Sequence, residues 1–158
     1  MLMHIRILWI GKTRNRCLES LCTDYLNRTQ RFVSCDVAEV PELSRRRSLH
    51  GEELRSAESS EIEKRVSETA RVVVLDADGT ELTSLDFARW FQKERNRGTR
   101  DLVFVIGGPE GISKRIVDRA NLRLSLGRMT WTHELARVLL LEQVYRAFSI
   151  LENSPYHK

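Results

Sequence analysis

The feature that most constrains this chain is a pair of short runs in which almost every side chain is apolar, at residues 71–76 and 102–106. Parallel strands that are buried on both faces of a sheet have this composition, whereas half-exposed strands alternate apolar and polar residues. A third run, residues 4–10, alternates at first and then becomes fully apolar before Gly11. Segments with helical spacing separate the three runs. The pattern indicates an α/β fold with a parallel-type sheet.

The rest of the chain alternates between helical and strand periodicity. Thr83 or Ser84 is placed to cap a helix that ends before Gly98. The segment 77–80, Ala-Asp-Gly-Thr, has the composition of a turn and is expected to end the strand 71–76. The other predicted elements are helices at residues 14–29 and 51–67, a short helix ending near residue 120, a long helix at 133–151, and strands at 32–40 and 122–126. We therefore predict an α/β fold of one domain, residues 1–158, with a parallel-type sheet and helices on both faces.

Composition narrows the class of protein. No apolar run reaches the roughly 18 residues of a membrane helix and no secretory cleavage site follows the first strand, so we expect a cytoplasmic protein that binds no membrane. Cys17, Cys22 and Cys35 lack the spacing of a redox motif or a zinc site, and we interpret them as reduced thiols. The net charge is +4 and 21 of the 26 cations are arginine. This excess of arginine over lysine favours RNA binding, although the base composition of a genome produces the same excess without any ligand.

Three loops are expected to form a ligand site, because the carboxyl ends of parallel strands meet at one edge of a sheet. They are the turn after Leu75, the loop 107–111 (Gly-Gly-Pro-Glu-Gly) and the segment 127–132. Glycines let a ligand approach the backbone, since they lack a Cβ atom. The loop 107–111 matches neither GxGxxG nor a P-loop, and Pro109 has no N–H for a phosphate. The pattern disfavours dinucleotides and nucleoside triphosphates, and it favours an adenosine-type ligand held by backbone groups and apolar walls.

Two groups of side chains are candidates for proton transfer or phosphate binding. His133 and Arg137 lie one turn apart at the start of the last helix, where a neutral imidazole accepts a proton and a guanidinium neutralises phosphate. The same spacing is equally typical of an ordinary surface pair. Tyr156 and His157 either stack on a base and transfer a proton, or belong to a frayed chain end. The three arginines 45–47 form either a solvated loop or a contact for RNA phosphates.

An ordered set of motifs extends over nearly the whole chain: VIGGPEG at 105–111, LSL at 124–126, MT at 129–130, HELARVL at 133–139, EQVYRA at 142–147 and PYH at 155–157. In these motifs the chain resembles the SPOUT methyltransferases that modify N3 of a pseudouridine in bacterial large-subunit ribosomal RNA. One departure is visible, because that family usually has proline before the helix histidine, where this chain has Thr132. Threonine is a good N-cap, so we expect the helix start to be kept.

The resemblance implies a C-terminal trefoil knot, which is rare among proteins. It implies a homodimer that binds S-adenosylmethionine without a metal, with the tail of one subunit completing the site of the other. The implied cofactor-binding residues are Leu75, Gly107, Leu126, Gly127, Arg128, Met129, Thr130 and Trp131. The implied catalytic residues are His133, Arg137, Tyr156 and His157. Either histidine would remove the N3 proton, while Arg137, Arg146 or Tyr156 would position the nucleotide.

The implied substrate is 23S ribosomal RNA in assembled 70S ribosomes, and the implied product of the cofactor is S-adenosylhomocysteine. A mild net charge fits a partner that is recognised by shape as well as by charge. Two alternatives remain open at this point. One is a methyltransferase of another RNA site on the same frame, and the other is a ribosome-binding factor without catalysis.

Overall fold

The computed structural model describes residues 2–44 and 48–157, and of His157 it describes the backbone alone. Five strands form one sheet, in which every neighbouring pair is parallel and the order is β2-β1-β4-β3-β5. The strands are β1 (His4–Ile10), β2 (Ser34–Val40), β3 (Arg71–Glu81), β4 (Asp101–Ile106) and β5 (Leu122–Ser125). The predicted parallel sheet is therefore confirmed. The predicted arginine loop 45–47 lies outside the described residues.

Two helices begin directly after threonines that the sequence marks as caps. The helices are α1 (Arg16–Thr29), α2 (Gly51–Glu63), α3 (Ser84–Arg97), α4 (Lys114–Arg119) and α5 (His133–Leu151), followed by a 3-10 turn at Pro155–His157. The Thr83 hydroxyl accepts the N–H of Asp86, and Gly98 follows the last residue of α3 with a φ of 81°, which favours glycine. Thr132 likewise accepts the N–H of Leu135, so the departure from the family's proline keeps the start of α5.

Helices cover both faces of the sheet, as predicted. Alternate side chains of β1, such as Ile7 and Leu8, point to opposite faces and enter two separate cores. The larger core joins the sheet to α1, α3 and α5, and the smaller one joins it to α2 and α4. The central strand β4 is buried from Leu102 through Ile106, which explains its uninterrupted apolar run.

The expectation that residues 77–80 end the third strand is wrong. β3 continues to Glu81, and its pairing with β5 contains an insertion, because Leu75 and Thr80 both lie opposite Leu124. The four residues between them bulge out of the ladder. A Cβ atom on Gly79 would lie 2.6 Å from the carbonyl oxygen of Arg123, so only glycine fits this close approach. Turn-like composition here marks a bulge rather than the end of the strand.

The three cysteines are free thiols, with Cys17 exposed and the other two buried. Across residues 2–44 and 48–157, none of the helices combines the length and the hydrophobicity that crossing a bilayer requires.

Candidate functional site

A cleft of about 710 Å³ opens at the carboxyl ends of β3, β4 and β5. The three predicted loops all contribute to it. Its lining consists of residues 74–77, 106–109, 111, 112, 117, 124, 126, 127, 129–133 and 136. The size falls within the roughly 300–1,000 Å³ that is usual for small-molecule and cofactor sites. The sequence-based expectation that these loops meet is therefore confirmed.

The glycine loop 107–111 forms the floor of the cleft directly after β4. It folds back on itself, because the N–H of Gly111 donates to the carbonyl of Gly108 at 3.0 Å. A Cβ atom on Gly107 would lie 2.5 Å from Cγ1 of Ile112 and 3.1 Å from the carbonyl carbon of Gly111. Any side chain at position 107 would therefore open the loop. The glycine is required because the side chain of Ile112 and the backbone of Gly111 leave no room for a Cβ atom.

Helix α2 supports the glycine loop from outside the cleft. The carboxylate of Glu110 accepts the N–H of Gly51, and the hydroxyl of Ser59 donates to that of Ser113 at 2.6 Å. Glu58 is 5% exposed, and its Oε1 lies 3.6 Å from the point that a Cβ atom on Gly108 would occupy. Nothing in the composition of residues 51–67 indicated this supporting role.

Burial raises the pKa of Glu58 to about 7, and the charges of Glu42 and Glu110 add to the effect. The folded state therefore binds this proton more tightly than the unfolded chain, whose ordinary value is 4.5. Stability falls as the pH rises between these two values, and the full penalty is present above the folded-state pKa.

We expect Glu58→Gln to be more stable than the unaltered protein by roughly 3 kcal/mol above about pH 8. At about pH 4 the difference should vanish, since the carboxyl is then protonated in the folded state and largely protonated in the unfolded state. Urea unfolding at the two pH values measures this. Glu53→Gln, on the exposed side of the same helix, is the matched control and should change stability at neither pH. An equal gain for Glu58→Gln at both pH values would contradict the assignment.

Ser125 connects two walls of the cleft. Its hydroxyl lies 3.2 Å from the carbonyl oxygen of Ala77 and 3.1 Å from that of Gly127, and it also accepts the N–H of Gly127. Only 4% of the residue is exposed. A serine between two leucines at the end of a buried strand was the available signal for this role, and the sequence reasoning did not use it.

Most of the predicted cofactor-binding residues surround the cleft. The lining includes Leu75, Gly107, Leu126, Gly127, Met129, Thr130 and Trp131. Arg128 is exposed and is not part of the lining. Met129 and Trp131 are large apolar side chains that are 77% and 43% exposed. The structure brings seven of the eight residues together, and their role in binding stays a prediction.

His133 is the first residue of α5, and it is half-buried in the wall of the cleft. Burial lowers its pKa, and the neighbouring charge of Arg137 acts in the same direction. Both effects favour the neutral imidazole, which has a free nitrogen lone pair that accepts a proton.

Arg137 is fully buried and lies outside the lining of the cleft. Its guanidinium donates to the hydroxyl of Thr13 at 2.8 Å and to the carbonyl of Ile10 at 2.6 Å, and it lies 4.9 Å from the ring centre of Trp9. Within this single chain it therefore holds the segment after β1. The surface-pair interpretation of His133 and Arg137 is wrong, because Arg137 is not at the surface.

Tyr156 belongs to a separate cluster farther along α5. Its hydroxyl donates to Glu142 at 3.1 Å and lies 3.3 Å from that of Tyr25, while the guanidinium of Arg146 lies 4.9 Å from its ring centre. Burial raises the pKa of Tyr156. Glu142 follows His133 by nine residues, which corresponds to about 14 Å along a helix axis. The tail and the cleft of one chain are thus two distinct places, and the side chain of His157 lies outside the described part of the structure.

A family model described as "Predicted SPOUT methyltransferase" matches residues 3–157. The chain belongs to the SPOUT methyltransferase family. Curated relatives match the sequence of this chain over almost its full length and over almost the full length of their own. A protein from Bacteroides fragilis is 37% identical over 155 residues, and one from Pelobacter propionicus is 40% identical over 155 residues. Each match covers 98% of this chain and 99% of the relative, and each relative is named ribosomal RNA large subunit methyltransferase H.

A solved structure of lower sequence similarity shares the fold of this SPOUT chain. The structure of a probable methylase family protein from Haemophilus influenzae Rd KW20 covers this whole chain, with a TM-score of 0.52 at 15% identity. This chain covers 72% of that structure. The resemblance stated from the motifs is confirmed by the family match, and the trefoil knot that it implies stays a prediction.

The SPOUT site contains no grouping of three His, Cys, Asp or Glu side chains able to hold a metal ion, and none occurs elsewhere in residues 2–44 and 48–157. The polar groups that line the cleft are the carboxylate of Asp76, which forms an ion pair with Arg123, together with backbone amides and carbonyls, threonine hydroxyls and the imidazole of His133.

Proposed function

We propose that this chain transfers a methyl group from S-adenosylmethionine to ribosomal RNA of the large subunit, acting as a single domain. The observation that carries the proposal is the cleft, which places a glycine loop, apolar walls and a neutral histidine at the carboxyl edge of a parallel sheet. The names of the relatives that match over nearly their full length support the same substrate class.

The residues of the cleft suit the cofactor. Leu75, Ile106 and Leu126 provide apolar walls that suit an adenine ring. The absence of side chains at Gly107 and Gly127 leaves backbone groups accessible for the polar edges of a nucleoside. S-adenosylmethionine bound there would supply a methyl group that is attached to a positively charged sulfur. A nitrogen nucleophile would accept this methyl group without a metal.

The finer proposal is that N3 of a pseudouridine in 23S RNA accepts the methyl group. This imide nitrogen carries a proton that must leave before the nitrogen becomes nucleophilic. His133 is suited to accept it, because its lowered pKa keeps the imidazole neutral near pH 7. His157 is the alternative base, and Tyr156 is proposed to position the nucleotide. Arg137 is proposed to act through the segment that it holds.

We further propose a homodimer in which each tail completes the partner's site. Two observations support this arrangement. The Tyr156 cluster lies about 14 Å from His133 along the same helix, so a chain's own tail does not reach its own cleft without rearrangement. Met129, Trp131 and Leu135 expose large apolar side chains at or beside the cleft, as surfaces that become covered commonly do.

The preferred substrate is proposed to be the assembled 70S ribosome, in the cytoplasm. The net charge of +4 is small for a protein that binds free RNA by electrostatic attraction alone. A shaped ribosomal surface supplies the additional recognition in this proposal.

The test uses purified protein, radiolabelled S-adenosylmethionine, and ribosomes from cells that lack the modification. Assembled ribosomes, separate subunits and naked RNA are offered, and mass spectrometry locates the label. We expect methyl groups on N3 of a large-subunit pseudouridine, most strongly with assembled ribosomes. His133→Ala should slow transfer by roughly 10²–10⁴-fold, whereas His4→Gln, at the opposite edge of the sheet, should remain active.

Other outcomes separate the alternatives. If the label is found at a different nucleotide, the chain is a methyltransferase of another RNA site. Cofactor binding with ribosome binding and no transfer would favour a non-catalytic factor.

A further inference from the structure

The loop that leads from β1 into the first residue of α1, residues 11–16, is strongly basic. Residues 11–16 contain Lys12, Arg14 and Arg16 and no acidic residue. Arg14 forms an ion pair with Glu42 at 3.0 Å. Lys12 and Arg16 are exposed, and neither forms an ion pair with the residues that the structure describes. Two cations of this short loop are therefore available to an external anion.

The first turns of α5 hold this loop in place. Glu134 accepts two backbone N–H groups with one carboxylate oxygen, that of Arg14 at 2.8 Å and that of Asn15 at 3.1 Å. One turn later, Arg137 binds the hydroxyl of Thr13 and the carbonyl of Ile10. These bonds join residues that lie about 120 positions apart, and they fix the loop backbone without using the side chains of Lys12 and Arg16.

The same helix turns carry the proposed chemistry. His133 precedes Glu134 directly, and it lines the cleft. The loop that Glu134 holds is therefore fixed beside the mouth of the cleft. A preorganised cationic group is better suited to bind an anion than a mobile one, since less conformational entropy is lost on binding.

We propose that Lys12 and Arg16 bind backbone phosphates of the RNA strand whose nucleotide enters the cleft. This inference rests on the proposed function and identifies the surface that receives its substrate. It also explains how a chain with a net charge of only +4 engages RNA, because the charge is concentrated and oriented at one site. Arg137 and Glu134 are then positioning residues, which act through the loop.

The test compares the double variant Lys12→Ala/Arg16→Ala with Lys93→Ala/Arg100→Ala. The control removes the same amount of positive charge, from Lys93 in α3 and from Arg100. Arg100 directly precedes β4, at the end of the sheet opposite the cleft. Cosedimentation with 70S ribosomes is measured over a series of KCl concentrations. Calorimetry with S-adenosylmethionine, analytical ultracentrifugation and melting temperature are measured for all proteins.

We expect the double variant to reduce the slope of log binding constant against log salt by roughly 1.4–1.8, since each phosphate contact contributes about 0.7–0.9. Binding should weaken roughly tenfold or more at low salt, while cofactor affinity and melting temperature are unchanged. The control should retain the slope of the unaltered protein.

Equal slopes for the double variant and the unaltered protein would overturn the inference. So would a change in oligomeric state, because the loop would then bind a second copy of the chain. The proposed function fails separately: ribosomes that bind in a loop-dependent way without receiving methyl groups would support the RNA contact and refute the enzyme assignment. Methyl transfer by a double variant with an unchanged slope would support the enzyme assignment and refute the RNA contact of Lys12 and Arg16.

Discussion

Replacing Arg137 with alanine is expected to destabilise the folded protein by about 4 kcal/mol, a large share of the 5–15 kcal/mol that holds a typical domain folded. Arg137 is among the largest fully buried side chains. Its loss creates a cavity next to Trp9 and leaves the carbonyl of Ile10 and the hydroxyl of Thr13 without their donor. Cavity formation and unpaired polar groups each cost about 1–3 kcal/mol or more. Urea unfolding monitored by tryptophan fluorescence measures the loss.

Arg137→Met is the matched control for volume. Methionine fills much of the same space, so we expect about half the destabilisation, from the unpaired carbonyl and hydroxyl alone. An alanine variant as stable as the unaltered protein would contradict the burial of Arg137. If the loop interpretation holds, Arg137→Met also weakens ribosome binding and leaves cofactor affinity unchanged. Substitution of a residue that contacts the cofactor would instead change the affinity for the cofactor.

The second large effect concerns the C-terminal tail. Tyr156→Ala and His133→Ala are each expected to reduce methyl transfer by roughly 10² or more. When the two variants are coexpressed with different tags, we expect about a quarter of the unaltered activity to return. Half of the dimers are then mixed, and in each mixed dimer one of the two composite sites combines an intact cleft with an intact tail.

The activity of each variant paired with itself is the control. Tyr156→Phe keeps the ring and loses the hydroxyl's hydrogen bonds with Glu142 and Tyr25, so it separates stacking from hydrogen bonding. A mixed preparation no more active than either variant alone would place tail and cleft of the same chain in one site, which would refute the shared-site proposal. Analytical ultracentrifugation confirms in the same sample whether dimers are present.

The sheet was predictable because burial on two faces leaves a strong compositional signal. Residues 102–106 lie in the central strand, where no position faces water. The bulge in β3 was not predictable in the same way. Asp78 and Gly79 are locally typical of a turn, and only the pairing of Thr80 and Glu81 with β5 makes the segment a continued strand. Tertiary pairing here overrides the local preference of the sequence.

The cleft was predictable from a geometric rule, since parallel strands present their carboxyl ends at one edge. The position of Arg137 was not, because helical spacing relates it to His133 without indicating which side of the helix faces the sheet. Contacts such as Glu134 with Arg14 and Asn15 join distant parts of the chain and leave no local signal. For the same reason, the motifs identified the family while periodicity alone indicated only the fold class.

The strand order has a consequence for how this protein is made. β1 is flanked by β2 and β4, and β3 is joined to β1 only through β4. A nascent chain therefore completes the β1–β2 pair early, yet the other edge of β1 stays unpaired until residues 101–106 have been synthesised. Sheets that close through such distant segments fold slowly and expose apolar edges in the meantime. A protein proposed to act on finished ribosomes thus cannot close its own sheet until synthesis has passed residue 125, where β5 ends.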